Sequence, residues 1–540
     1  MLSTSRRKII PAVAIILAFV ALTLIGCQVK NESRVSSPDQ AAFKKMETEY
    51  YINSDGTATL TGLQFNEGQD TLDIPETIED HTITKLDFGS NYFHYNIKKV
   101  VVPETVTSLS EMAFEPFPQL EKVEFKGSGI TEIGKNTFCC CENLEDIRLP
   151  ESITYIGDNA FYKCSKLTEI TIPEGVKEIG QRAFYMAGIK KINIPEGVTE
   201  IKDFTFYQTK LEQAEIPSSV TSIGENAFGL CYDLTSVDFP EKLTYIGNEA
   251  FDRCGKLKKI AIPSGITEIS TRAFYGCSAL SDIELPSKLQ SIQDEAFGNC
   301  GMTQITIPDS TTKIGKGVFY GCKSLKSITL PKNIKYLSEE MFKDCESLES
   351  FDIPDTVTVI GGQAFYGCKS LKSISLPKNI DYIPKYLFHG CELLNDIIIP
   401  DTVTKIGYGA FFGCKSLNNI DIPDAVTEIG ESAFSDCKSL KTVKLPPNIT
   451  QLRKNLFSSC SSLNNISIPE AVTKIEERAF FGTNLKTVYI PDMVTSVSDQ
   501  AFGECGSLKE ASIPENAQIA ENAFDANVKQ TVRQREVNSV

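Results

Sequence analysis

Residues 144–167 read LEDIRLPESITYIGDNAFYKCSKL, and this stretch decides the fold. In Leu144-x-x-Ile147-x-Leu149-Pro150 the last apolar positions alternate with polar ones, the period-2 mark of a half-buried strand. Pro150 has no N–H to give a ladder, so it ends that strand. Ile153-Thr154-x-Ile156-Gly157 reads as a second short extended piece, closed by a glycine expected at positive φ. Ala160-Phe161-x-x-Cys164 reads as one short helical turn with Ala, Phe and Cys facing inward, after which Leu167 starts the pattern again. The few apolar side chains of one such unit cannot offset the entropy of ordering its backbone, so the unit needs neighbours stacked on it.

The rest of the chain supplies them. Prolines recur every 22 or 23 residues from Pro150 to Pro514, and phenylalanines mark 19 units from Phe114 to Phe524. A fixed period of this size specifies a repeat solenoid with a parallel β-sheet, not a string of globular domains. Tyr320 to Ile328 (YGCKSLKSI) returns unchanged as Tyr366 to Ile374, 46 residues on, which points to duplication of a two-unit block. Shorter 22-residue units near 184–217, 297–308 and 480–491 should change local twist without interrupting the stack.

The N-terminus reads as an export signal. Arg6, Arg7 and Lys8 precede an apolar run from Ile9 to Gly26 that ends in Leu24-Ile25-Gly26-Cys27. This junction resembles the lipobox of bacterial lipoproteins, in which the small residue fits the peptidase pocket and the cysteine thiol takes a diacylglycerol. Eighteen residues also suffice for a retained membrane anchor, but the order of the last four favours cleavage between Gly26 and Cys27 and lipid attachment at Cys27. The resulting organisation is a signal peptide over 1–26, a lipidated N-terminus and tether over 27–46, a solenoid over 47–527 and a polar tail over 528–540.

The 54 Lys+Arg against 70 Asp+Glu give a formal charge of −16, which argues against a nucleic-acid binder. Only three histidines are present, His81, His94 and His389, too few for the usual triads or His-ligated metal sites. Gly-rich phosphate loops and nucleophile elbows are missing as well. Acidic residues recur after the prolines (Glu151, Glu174, Asp309, Asp401), but repetition marks them as turn residues copied with their unit. An enzyme is not expected, nor a cofactor or metal.

The repeated columns resemble the BspA-like leucine-rich repeats of bacterial and some protozoan surface proteins. The resemblance covers roughly residues 50 to 525, and the opening Asn53-x-Asp55-Gly56-Thr57 followed by Leu72-x-Ile74-Pro75 is similar to that family's atypical first unit. It implies a protein of the bacterial cell envelope, held by its lipid and exposed at the surface. It also implies adhesion, or recognition of a protein or glycan on a host or neighbouring cell. An envelope spacer without a ligand and a nutrient-capture receptor are the alternatives.

Three sets of residues are singled out. Fourteen cysteines from Cys141 to Cys505 fall in one column, with Ala187, Thr209 and Thr483 in the same slot elsewhere. Small replaceable residues in that slot point to buried reduced thiols, not a disulfide framework. An aromatic series follows the Phe column (Tyr162, Tyr185, Tyr207, Tyr275, Tyr320, Tyr366, Phe412, Phe481) and reads as partly buried beneath the next coil, or as a contact ridge in which Tyr320 and Tyr366 are candidates. Finally, the residue between the two buried strand positions should face outward, which makes Asp352, Asp421 and Lys444 candidates for a partner-binding face.

Overall fold

The computed structural model describes residues 48–63, 68–88 and 96–534. The expected signal peptide, Gly26, Cys27 and the tether lie outside the described residues. Over the described part the chain is a parallel β-solenoid of about 20 turns. No helix among the described residues is long and apolar enough to cross a membrane.

Most coils contribute to two ladders, although the coil around residues 463–469 forms no front strand. The front ladder carries the strand that precedes the proline, as in Ser350–Asp352, Ser373–Ser375 and Asp396–Ile398, which pair parallel and in register. The back ladder carries the Val-Thr-x-Ile piece, as in Tyr382–Ile383, Lys405–Ile406 and Glu428–Ile429. Between the ladders lies one continuous core. Its axis is the phenylalanine column, whose rings stack coil upon coil. Phe161 and Phe184 are 5.2 Å apart and inclined by only 2°, and the series runs unbroken from Phe114 to Phe524.

The segment expected to be a helical turn is built otherwise. An α-helix would bond each N–H to the carbonyl four residues back. Here the residues alternate. Ala160, Tyr162 and Cys164 donate to carbonyls three back in their own coil (3.2, 3.1 and 3.2 Å), whereas Asn159, Phe161 and Lys163 donate to Gln181, Ala183 and Tyr185 of the following coil (3.0, 2.7 and 2.8 Å). Asn159 and Lys163 have left-handed φ values of 53° and 59°, which turn alternate N–H groups outward. The same alternation recurs in later coils, so the turn segment forms a third inter-coil ladder without being a strand.

Gly157 also departs from expectation, because its φ is not positive. A Cβ there would stand 2.7 Å from the Lys135 nitrogen and 2.8 Å from the Gly134 carbonyl carbon. The column requires glycine because two backbones pass too close for a side chain.

The ends differ. At the N-terminal end Glu49–Ile52 runs antiparallel to Ala58–Gly62, which in turn pairs parallel with His81–Leu86 and so covers the first edge of the back ladder. At the C-terminal end Lys529–Arg533 pairs in parallel with Glu510–Pro514. This strand falls in the stretch that the sequence assigned to a polar tail from 528. Its residues are mostly exposed, so no apolar alternation announces it. Arg533 fastens it, donating to Ser512 Oγ (2.8 Å) and Asp492 Oδ1 (2.7 Å) while its guanidinium lies 4.0 Å over the Tyr489 ring.

Candidate recognition surface

The front ladder alternates residues buried toward the core with residues exposed to solvent, and the exposed row is the surface of interest. The predicted outward positions Asp352, Asp421 and Lys444 are all exposed. They fall within five successive coils, Asp352 on the first and Asp421 and Lys444 on the last two. Asp352, Ser375 and Ile398 are partners across three strands, and Asp421 and Lys444 are partners across the next two. The structure therefore brings the three predicted polar residues into one row and inserts a residue that sequence reasoning missed.

That residue is Ile398, which is 80% exposed. It sits in the run Ile397-Ile398-Ile399, where the flanking two are buried. The alternation of the strand forces the middle isoleucine into solvent, and that rule, applied to an all-isoleucine run, was the available signal. Around it the groove is lined by Asp396, Asp401, Asn419, Asp421, Asp424 and Lys444 on one side and by Asp352, Ser375 and Lys378 on the other. Lys444 Nζ is 3.0 Å from Asp424 Oδ1. Asp352, Asp396, Asp401 and Asp421 make no ion pair among the described residues, which leaves an apolar centre with an acidic rim.

Tyr320 and Tyr366 belong to the turn segment, not to this row. Lys343 Nζ lies 5.6 Å from the Tyr320 ring and 5.5 Å from the Tyr366 ring, Tyr366 stacks on His389 at 4.4 Å, and His389 stacks on Phe412 at 4.6 Å. All five side chains are half-buried. The Tyr366 and His389 rings face each other and the Lys343 ammonium lies near both tyrosine rings, so this part of the series is partly buried. Burial lowers the His389 pKa, which keeps its imidazole neutral in the stack. The back ladder exposes Tyr336, Val359 and Tyr382 (50%, 50% and 41%), but the tyrosines each carry a hydroxyl that water can satisfy.

The cysteine column lies beneath this surface and is not part of it. The Cys368 thiol donates to the Phe342 carbonyl (3.2 Å) and Cys391 to Phe365 (3.1 Å), each reaching to the preceding coil. Both are fully buried. Thr209, in the same slot, instead bonds Phe206 of its own coil (2.9 Å) and touches Cys231 Sγ (3.2 Å). Burial pushes the thiols up, Cys322 to about 12. The column is thus a packing element with a weak hydrogen bond added.

The chain matches the BspA type leucine rich repeat region over residues 87–209, 199–323, 290–418 and 404–531. It belongs to that family. No curated protein matches it. Among solved structures it is similar to a leucine-rich repeat protein from Bacteroides ovatus (25% identity, 91% of this chain and 100% of that one, TM-score 0.45). It is also similar to a leucine rich cell surface protein from Faecalibacterium prausnitzii (28% identity, 67% and 95%, TM-score 0.43). A leucine-rich repeat protein from Eubacterium ventriosum is 20% identical, with 69% and 94% covered and a TM-score of 0.35. Leucine-rich repeat proteins generally mediate protein–protein interaction or adhesion.

Proposed function

We propose that this BspA-type chain is a lipid-anchored protein of the bacterial surface that recognises a protein partner through the front ladder around Ile398. It acts as a binding scaffold and not as an enzyme. Membership of the family supports a recognition role, and the Leu24-Ile25-Gly26-Cys27 junction supports the anchor. The observation that carries the reading is the exposed Ile398 set among unpaired carboxylates. An apolar side chain rimmed by polar groups is the form of an interface anchor, and the acidic rim selects a partner with basic groups around an apolar pocket. The test is to screen the full chain against arrays of matrix proteins and glycans, then repeat with Ile398→Lys and with Asp396 and Asp421 both changed to Asn. Binding lost in both variants supports the surface. Binding unchanged in both refutes it, and no binding by the parent chain favours the spacer reading. For the anchor, Cys27→Ala should abolish acyl labelling; labelling that persists would remove the lipobox from the account.

A further inference from the structure

Cys139 and Cys140 stand outside the cysteine column. Cys139 occupies the place that Tyr162 and Tyr185 take in the next two coils, and Cys140 the left-handed place of Lys163 and Met186, with φ 61°. Their sulfurs are 3.6 Å apart, in van der Waals contact. The backbone around them is held by three hydrogen bonds: Cys139 N to Asn136 O (3.0 Å), Cys140 N to Tyr162 O (2.7 Å) and Glu142 N to Cys140 O (2.8 Å). Cys139 is 7% exposed, while Cys140 has more access to solvent. The neighbouring column thiols are engaged with the preceding coil. Cys141 and Cys164 are buried and directed at the carbonyls of Phe114 and Phe138. Burial raises the pKa of both, which suppresses the thiolate that disulfide exchange requires.

We propose that Cys139 and Cys140 are a redox-modification site that closes a vicinal disulfide by exchange with a small-molecule or protein disulfide. The more accessible Cys140 loses its proton and attacks one sulfur of the incoming disulfide, expelling the first thiolate and forming a mixed disulfide. Cys139 then loses its proton and attacks the Cys140 sulfur, expelling the second thiolate. Two S–H bonds and one external S–S bond are replaced by one internal S–S bond and two external thiols; two electrons pass to the oxidant, and the two protons end on its thiols. A ring closed between adjacent residues is strained, so the bond is readily reduced and the modification is reversible. It also acts on the inter-coil contact that Cys140 N makes with Tyr162, whereas the column thiols stay reduced.

The experiment uses the full chain treated with oxidised glutathione, alkylated in the native state, then denatured and alkylated with a heavy reagent. The tryptic peptide 136–148 contains all three adjacent cysteines. The expected species carries one heavy label, on Cys141, and is lighter by about two mass units than a fully reduced peptide bearing that same single label. Three alkyl groups on that peptide after oxidation, or a bond between Cys140 and Cys141, would overturn the proposal. In Cys139→Ser the second step is blocked, so a glutathione adduct should accumulate on Cys140 and be removed by dithiothreitol. Its absence from a folded variant would refute Cys140 as the entry thiol, and the parent-chain measurement stands whether or not the variant folds.

Discussion

Phe365 has an aromatic ring on each side, Phe342 at 5.5 Å and Phe388 at 5.8 Å, and a third, Phe351, at 5.2 Å. Its truncation removes the contacts of a fully buried ring and leaves a cavity that rigid neighbours cannot fill. Phe365→Ala should therefore lower stability by about 3–5 kcal/mol in chemical denaturation. Cys368→Ala removes one sulfur and a weak hydrogen bond three residues away, and should cost about 1 kcal/mol. Ile398→Ala, in solvent, should change stability by no more than about 0.5 kcal/mol while weakening a partner. Asp252 is the buried acid of the turn segment, 5% exposed and 3.3 Å from Arg272 Nη2. Burial raises its pKa to about 6, with Arg272 opposing the shift. Because the folded value lies above the unfolded one, its favourable contribution is complete below about pH 4 and is lost as pH rises through about 6. Asp252→Asn should flatten the stability profile across that window, read as the denaturation midpoint at several pH values; a profile parallel to the parent's would contradict the assignment.

At the scale of the element, two substitutions in one coil should have opposite signs. Gly157→Ala drives a methyl into the backbone of the preceding coil and should destabilise by about 2 kcal/mol or more. Lys163→Gly relieves a left-handed lysine and should be neutral or stabilising by up to about 1 kcal/mol; Gly276, Gly321 and Gly367 already occupy that place in other coils at positive φ. Thermal unfolding of the two variants checks both. These positions also mark the limit of what the sequence discloses. The front strand was legible because alternation and a terminal proline are local signals. The turn ladder was not, since its hydrogen bonds join residues about 22 apart and its left-handed residues are as different as Asn159, Arg182, Met186 and Glu249. The candidate surface divides in the same way. Asp352, Asp421 and Lys444 followed from column position alone, whereas Ile398 was masked by two buried isoleucines that make its strand look wholly internal.

At the scale of the whole solenoid, coils bond chiefly to the coil before and the coil after, with Arg533 reaching two coils back to Asp492, so cooperativity passes along one direction. A lesion at Phe365 should open the coils around residues 342–388 first, and hydrogen exchange should show protection lost there before it is lost near Phe161 or Phe480. Uniform loss of protection along the chain would mean that the array behaves as a single cooperative block.

The three inter-coil ladders have a consequence for how such a chain can change in length. Coil after coil offers its successor a similar row of donors and acceptors, so an added or lost segment is accommodated only when it restores that row. The chain has, in effect, a structural reading frame of 22 or 23 residues. Excision of 320–365, which rejoins Phe319 to Tyr366 across the duplicated block, keeps the frame and should leave the remaining coils with their stability and both ends intact. Excision of 354–364 shifts it and should unfold the coils on either side of the join. Length can then drift by whole coils with little penalty while the outward row at the front is free to differ from copy to copy, so that duplication lengthens the protein and diversifies its surface in a single event.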